Sequence, residues 1–378
     1  MIAAISRASM PKSEPLVPAP ISDLFLSNLI TISLNIDTIL QDEINNNTRH
    51  ASVKLKFTSM PLKLSLFIVA VLWTALVQAQ PSQYTVSKDN TSKYHSIQEV
   101  LNIIPSGNKA SVKIYLKAGV YNEVVVVDAS KSNITLIGED VNNTIINFNN
   151  HAGVKTPEGD TLNTWTCATV FVYGNDFQAQ NITFSNQAGY TAGQAVALRV
   201  EGNRASFFNC KMIGFQDVLF LSGNGVKQYF KDCYIEGTTD FIFGAATSVF
   251  EDCHMHSKKN SHVTAASTNS IIPFGFVFKR CKLTADSTIN KVSLGRPWSP
   301  TASVTYLDCW MDKHIVEEGW NNWKNPANEL TARYAEYNST GPGGSAQKRV
   351  AWSKQLTSEQ ALGFSNEKIL GAWRPSKK

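Results

Sequence analysis

Ser206-Phe207-Phe208-Asn209-Cys210-Lys211-Met212 is followed by Gln228-Tyr229-Phe230-Lys231-Asp232-Cys233-Tyr234-Ile235, and the two segments are variants of one pattern. The pattern returns at Val249-Phe250-Glu251-Asp252-Cys253-His254-Met255, at Val277-Phe278-Lys279-Arg280-Cys281-Lys282-Leu283 and at Thr305-Tyr306-Leu307-Asp308-Cys309-Trp310-Met311. Each unit has an aromatic or aliphatic pair, two mostly polar residues, Cys, any residue, and an apolar residue. The Cys spacings are 23, 20, 28 and 28. A related unit without Cys is Phe177-Gln178-Ala179-Gln180-Asn181-Ile182-Thr183-Phe184. Periods of about 20 to 50 residues belong to solenoids and arrays. The segments are short, alternate in polarity and are rich in β-branched and aromatic residues, so they read as strands. Further strands are expected at Val112 to Leu116, Glu123 to Val127, Asn133 to Ile137 and Thr144 to Phe148, with Gly and Asn between them. Several short strands per repeat, each set stacking on the next, describe an all-β parallel β-helix. A propeller competes, but its blades need about 40 or more residues.

In such a coil the Cys ladder has two readings. It is either a stack of small apolar side chains in the core, or it holds a disulfide, with Cys210–Cys233 the first choice. No Cys-x-x-Cys occurs, which argues against a zinc site.

Around the repeat, composition narrows the class. Of 378 residues, 43% are hydrophobic and 17% charged, which excludes a disordered chain and a charge-rich coiled coil. The net charge of +5 lacks the dense basic clusters of a nucleic-acid binder and favours approach to an acidic polymer. Leu64 to Val77 is the longest uncharged apolar run and is short for a membrane span. It follows Met60 and Lys63 and ends near Val77-Gln78-Ala79, the pattern of a secretory signal. The expected division is an upstream extension at 1–59 outside the mature protein, with Met60 the true start, a signal peptide at 60–79 and a catalytic domain at 80–378; the alternatives for the apolar run are an uncleaved anchor and a buried core helix. Sequons at Asn90, Asn133, Asn142, Asn181 and Asn338 fit a secreted glycoprotein without stable membrane insertion once the signal is removed.

The chemistry is carried by the same period. Asp217 and Asp240 are 23 residues apart, as are Cys210 and Cys233, and each Asp lies seven residues after its Cys. The two carboxylates are therefore expected at equivalent places on adjacent coils, about 4.8 Å apart. Gln194, another 23 residues back, is expected one coil earlier. Two carboxylates this close separate in proton affinity, so that one serves as acid while the other stays anionic. Their surroundings, Gly214-Phe215-Gln216-Asp217-Val218-Leu219-Phe220 and Gly237-Thr238-Thr239-Asp240-Phe241-Ile242-Phe243-Gly244, are unusually apolar. The bland alternative is a pair of turn aspartates bonded to backbone amides. His254 and His256 alternate onto one strand face and read as exposed or core residues rather than metal ligands.

Gly119-Val120-Tyr121-Asn122-Glu123, Gln194-Ala195-Val196-Ala197-Leu198, the Gly214 and Gly237 segments, and Leu294-Gly295-Arg296-Pro297-Trp298 resemble, in order, the five signature blocks of plant-type pectin methylesterases. The resemblance runs from about Tyr84 to Trp373. It implies a right-handed single-stranded parallel β-helix, and an esterase that converts methyl-esterified homogalacturonan to pectate and methanol without metal or organic cofactor. Asp240 resembles the nucleophile. Asp217 resembles the acid that protonates methanol and then the base that activates water. Gln194 and Gln216 resemble the oxyanion donors. Arg296 would pair with Asp240, and Trp298 would stack on a sugar ring. Thr164 falls where the family places another substrate contact, and Phe215 and Phe241 would be cleft walls. Phe215, Val218 and Phe220 stand where the family more often has Tyr, Thr and Tyr, so the surroundings of Asp217 are drier. Thr164-Trp165-Thr166-Cys167-Ala168-Thr169 also departs in its Trp and Cys.

The resemblance further implies a cell-wall location, pectin as partner, a monomer, and an encounter with a proteinaceous pectinesterase inhibitor. The Cys-free residues before Met60 are too short for the inhibitor-like pro-domain that many relatives carry. A pectin lyase would want a calcium-binding carboxylate cluster and a polygalacturonase carboxylates spaced for inverting hydrolysis; neither set is present. Gly-x-Ser-x-Gly is absent, against a serine esterase. The remaining alternative is a catalytically weak pectin-binding wall protein.

Overall fold

The computed structural model describes residues 82–89 and 91–377. The expected extension, the signal peptide and the Asn90 sequon lie outside the described residues. Among those residues the strands form three sheets of eleven, seven and eight strands. Every strand-to-strand pairing is parallel, and each sheet takes every third strand of most of the chain. One coil runs Leu198–Val200, Ala205–Phe208, Lys211–Ile213; the next runs Leu219–Leu221, Lys227–Lys231, Tyr234–Gly237. This is the right-handed parallel β-helix. Strands expected at Val112 to Leu116 and Thr144 to Phe148 form with those limits. The other two form as Val125–Val127 and Ile134–Gly138.

The repeat is explained by what stacks inside. Phe207, Phe230, Phe250, Phe278 and Tyr306 are in register on successive coils and lie nearly parallel, with centroids 4.7, 4.8, 4.5 and 4.4 Å apart. Each such contact is worth about 0.5–1.5 kcal/mol beyond the area it buries. The Cys ladder runs beside them. All six cysteines are free and buried, so core stacking holds and the Cys210–Cys233 disulfide does not. Burial pushes the thiols of Cys233, Cys253, Cys281 and Cys309 well up, which keeps them protonated and inert.

The polar residue before each ladder Cys makes the corner between two sheets. Asn209, Asp232, Asp252, Arg280 and Asp308 all have φ between 50° and 55°, the left-handed region that Asn and Asp tolerate best among residues with a Cβ. Asn181 and Asn338 occupy the same corner, at 55° and 51°, while Asn133, at 58°, stands at the corner between the seven-stranded and eleven-stranded sheets. Three of the sequons thus coincide with structural turn residues, and Asn209 donates to the Asn181 amide oxygen at 2.8 Å.

Each end of the coil is covered. Helix α1, Ile97–Ile103, is capped by Ser96 and buries Ile97, Val100 and Leu101 against the first turns. Near the other end Trp320 and Tyr334 continue the aromatic stack at 5.8 and 4.4 Å. There the buried Glu336 receives Arg349 at 2.8 Å and the Trp320 indole at 3.2 Å.

Candidate active site

The seven-stranded sheet carries one outward column, in register from coil to coil: Phe171, Arg199, Phe220, Phe243, Ala265, Arg296. Phe220 and Phe243 stack at 4.4 Å and close the surface beneath them. Ala265 comes next and is short, so a hollow of about 320 Å³ opens between Phe243 and Arg296. Gly295 lets the Arg296 strand approach this closely, because a Cβ there would meet Thr264 Oγ1 at 2.0 Å.

Asp217 and Asp240 enter the hollow from the corner that precedes these strands. Their φ values are 61° and 49°, the same left-handed turn that precedes each ladder Cys. They sit on adjacent coils, since Asp217 N–H bonds the Thr239 carbonyl at 3.1 Å and Leu219 pairs with Ile242. Gly237 permits the corner: a Cβ there would lie 2.3 Å from that of Phe241 and 2.6 Å from the Phe215 carbonyl.

Arg296 grips Asp240 with both arms, Nε to Oδ1 at 3.0 Å and Nη2 to Oδ2 at 2.6 Å. Its guanidinium lies 3.7 Å from the centre of the Trp323 ring, which fixes its plane. The Asp240 backbone N–H bonds the His262 carbonyl at 2.9 Å. Burial, then Arg296, pushes His262 down to about 4, so its ring stays neutral beside this pair.

The two carboxyls differ in their surroundings. Burial, then the Asp240 charge, pushes Asp217 up to about 8, against the pull of Arg296 and of a hydrogen bond from Gln216. Burial also raises Asp240, but the Arg296 hydrogen bonds and charge pull it back. At neutral pH one carboxyl therefore holds a proton while its neighbour is held as an anion by a bidentate cation.

Gln194 pairs with Gln216, not with Asp217. The 23-residue spacing to Asp217 overshoots this pairing by one position, since Gln216 lies 22 residues on. The correction brings the two amides onto one row beside the carboxyl pair, and both line the hollow. Thr164 and Trp298 line it too, with Trp298 40% exposed. Phe241 does not: it is fully buried in the coil interior beside Ile242, because Asp240 takes the outward place at the corner that precedes the strand. Phe215 stands outside the hollow, against Tyr190 and under Lys258.

The aromatic walls are instead Trp165, Phe243, Trp298 and Trp323. Trp165 and Trp298 face each other at 6.2 Å. Arg199 holds the Trp165 loop through its carbonyl and bonds Glu201 at 3.1 Å. Phe243 was findable, since it lies three residues after Asp240 as Phe220 does after Asp217. Trp165 shows in the sequence only as a departure from the family pattern, and nothing local marks Trp323.

The arrangement offers an anionic carboxylate, a protonated neighbour and two amides at one apolar hollow. It is equipped for acyl transfer from a neutral ester. A family model for pectinesterases matches residues 83–372. Pectinesterase 31 of Arabidopsis thaliana is 40% identical over 284 residues, which cover 74% of this chain and 89% of that protein. Pectinesterase 4 of the same plant is 32% identical, and the chain spans about half of its length (51%). Among solved structures, the pectin methylesterase from carrot superposes with a TM-score of 0.71 at 32% identity, covering 77% of this chain and 94% of that one. PemA from Erwinia chrysanthemi gives 0.69 at 29%, covering 78% and 98%. By sequence, fold and the makeup of its hollow, the chain belongs to the pectinesterase family and is a carboxylic ester hydrolase.

Proposed function

We propose that this chain removes methyl groups from homogalacturonan with Asp240 as nucleophile and Asp217 as general acid and base. The observation that carries the reading is the bidentate Arg296–Asp240 pair one coil away from a carboxyl whose affinity for its proton is raised to about 8. Asp240 attacks the ester carbonyl carbon, and the carbonyl π pair moves onto oxygen. The Gln194 and Gln216 amides donate to that oxyanion. The C–OCH₃ bond then breaks, and Asp217 gives its proton to the departing oxygen, releasing methanol. The acyl group is left on Asp240 as an anhydride. Asp217, now a carboxylate, takes a proton from water, whose oxygen attacks the acyl carbon and returns Asp240 as its anion. Arg296 orients Asp240 and keeps it ionised against its own burial. Trp298, Trp165 and Phe243 hold the sugar and its methyl ester, and Thr164 is a polar contact at their edge.

The hollow suits this substrate. Its walls are apolar and its floor carries two carboxyls, so it favours a neutral ester over an ionised sugar. The net charge of +5 favours approach to a polyanion. The signal-like segment at 60–79 and the sequons support a reaction outside the cell, at the wall.

The test is methanol release from highly methylated pectin by residues 80–378, beside Asp240→Asn. Asn keeps the shape and tolerates the left-handed backbone at φ 49°, which Ala does not. Release by the parent chain and none by the variant is expected. Equal release from both would overturn the nucleophile assignment. No release from either folded protein would favour the pectin-binding alternative.

A further inference from the structure

Of the four aromatic walls of the hollow, Trp323 alone stands on left-handed backbone. It and the next residue, Lys324, take φ values of 60° and 56°. Gly, Asn and Asp adopt that region readily; a bulky ring or a long cation does not. Asparagines flank the pair at Asn321, Asn322 and Asn325, yet the two left-handed places fall between them. The turn is therefore imposed from outside its own residues, and the surrounding contacts must offset its strain.

Those contacts form a latch. At its root the Asn321 N–H bonds the Gly295 carbonyl at 3.1 Å, one residue before Arg296. The Asn321 side chain then accepts the Trp323 N–H at 2.8 Å. Further out, the buried Asn328 donates from Nδ2 to the Asn322 carbonyl at 3.1 Å, and Asn322 Nδ2 donates to Glu329 at 2.7 Å. The 3₁₀ turn Pro326–Leu330 thereby closes the loop on itself. What the latch delivers is the indole ring. Among the described residues Asp240 is the only hydrogen-bond partner of the Arg296 side chain. No other bond stops the guanidinium from swinging about that carboxylate, so the limit is set by the Trp323 ring, whose centre is 3.7 Å away. Asn321 itself does not line the hollow.

We propose that Asn321 is a positioning residue: by holding Trp323 in its left-handed turn it keeps the indole against the Arg296 guanidinium, and so keeps both arms of that guanidinium on Asp240. The inference rests on the mechanism above, in which Arg296 orients Asp240 and keeps it ionised. The titratable groups around the pair are Asp217, the neutral His262 and the buried phenol of Tyr334. Lys324 and Glu329, on the loop itself, make no ion pair with it. Neither Asn321 nor Trp323 titrates, so a shift in the pH profile of their variants reports on Asp240 and its neighbours.

The experiment measures kcat, KM and the pH profile of kcat/KM for methanol release from highly methylated pectin. The parent chain is compared with Asn321→Ala, Asn321→Ser, Trp323→Leu and the double variant of Asn321→Ala with Trp323→Leu, with circular dichroism to check that each coil is intact. Asn321→Ala should lower kcat by up to about 10²-fold, the effect of displacing a positioned group by ~1 Å, with KM within about twofold. Its acid limb should move to higher pH, since Asp240 is less firmly held as the anion. Asn321→Ser keeps a weaker acceptor for the Trp323 N–H and should fall between parent and Ala. In the Trp323→Leu background the Ala change should add little, because both act through one ring. Full additivity of the two changes, or an acid limb unmoved in both Asn321 variants with any loss confined to KM, overturns the positioning role. Methanol release by the parent that Asp240→Asn leaves intact overturns instead the mechanism on which the role rests.

Discussion

The corner before each ladder Cys and the corner that carries Asp217 and Asp240 are the same piece of backbone used twice per coil. Both place a polar residue in the left-handed region, between 49° and 61°. At the first corner Asp252 is about one-third exposed and shared between Lys231 and Arg280, with Arg280 Nε at 2.8 Å. Its carboxyl is held below the usual range, chiefly by the Arg280 hydrogen bonds. At the second corner Asp217 and Asp240 are buried, a single arginine bonds Asp240 alone, and burial raises both. A shared local conformation thus yields carboxyls shifted in opposite directions. The turn explains why Asp stands at both corners; desolvation and partner count set apart the one proposed for acyl chemistry.

Four changes would break or sharpen that contrast. The largest effect is expected from exchanging Asp for Asn at each corner. Asp240→Asn should lower kcat for methanol release by on the order of 10⁴-fold or more, as loss of a nucleophile does. Asp252→Asn should leave kcat within about twofold and cost only about 1 kcal/mol in urea unfolding, since it loses partly exposed ion pairs. Comparable kcat losses at the two corners would end the distinction. Next, Gln216→Ala removes one amide from the row beside Asp217 and should cost about 10²–10³ in kcat with KM little changed. A loss confined to KM would assign that amide to ground-state binding.

Arg296→Gln should act through pH. The guanidinium lowers both carboxyls, so its removal lets both rise. In the proposed mechanism Asp240 must be ionised to attack, and the acid limb of the kcat/KM profile should therefore move to higher pH. An unmoved limb would show that Arg296 only orients. The smallest effect concerns stability. Asp217 ionises near 4 in an unfolded chain and at about 8 here, so the fold favours its neutral form. Its contribution is complete below about pH 4 and is lost as pH rises through 8. Asp217→Asn avoids that loss, so its advantage in Tm over the parent should grow from pH 4 to pH 9. A constant or shrinking difference would contradict the raised affinity.

Much of this was legible because a β-helix is written as a repeat. Phe207, Phe230, Phe250 and Phe278 recur because identical side chains stack on successive coils, and the period shows itself without any knowledge of tertiary contacts. The 23-residue spacing of Asp217 and Asp240 likewise maps directly onto adjacent coils, since the intervening turns have equal length. Gln194 lies one coil earlier, as expected, but its partner there is Gln216 at 22 residues rather than Asp217 at 23, since counting cannot see where a turn contracts. Phe241 was put on the wrong face for a related reason: Asp240 sits at a corner, where the alternation of a strand does not yet apply.

The strands and their order of stacking, the carboxyl pair, and the resemblance that singles out Gln194, Gln216 and Arg296 are properties of the sequence alone. They follow from short-range periodicity and from residue types that have one use in this chemistry. The tertiary structure decided the rest. It chose free thiols over a disulfide, because the stacked corners point the Cys side chains into a packed interior. It opened the hollow at Ala265 and assembled its walls from Trp165, Trp298 and Trp323, which lie on separate loops. It also assigned opposite protonation tendencies to aspartates in the same turn. Burial and the position of a distant arginine set those tendencies, and neither is a local property of the chain.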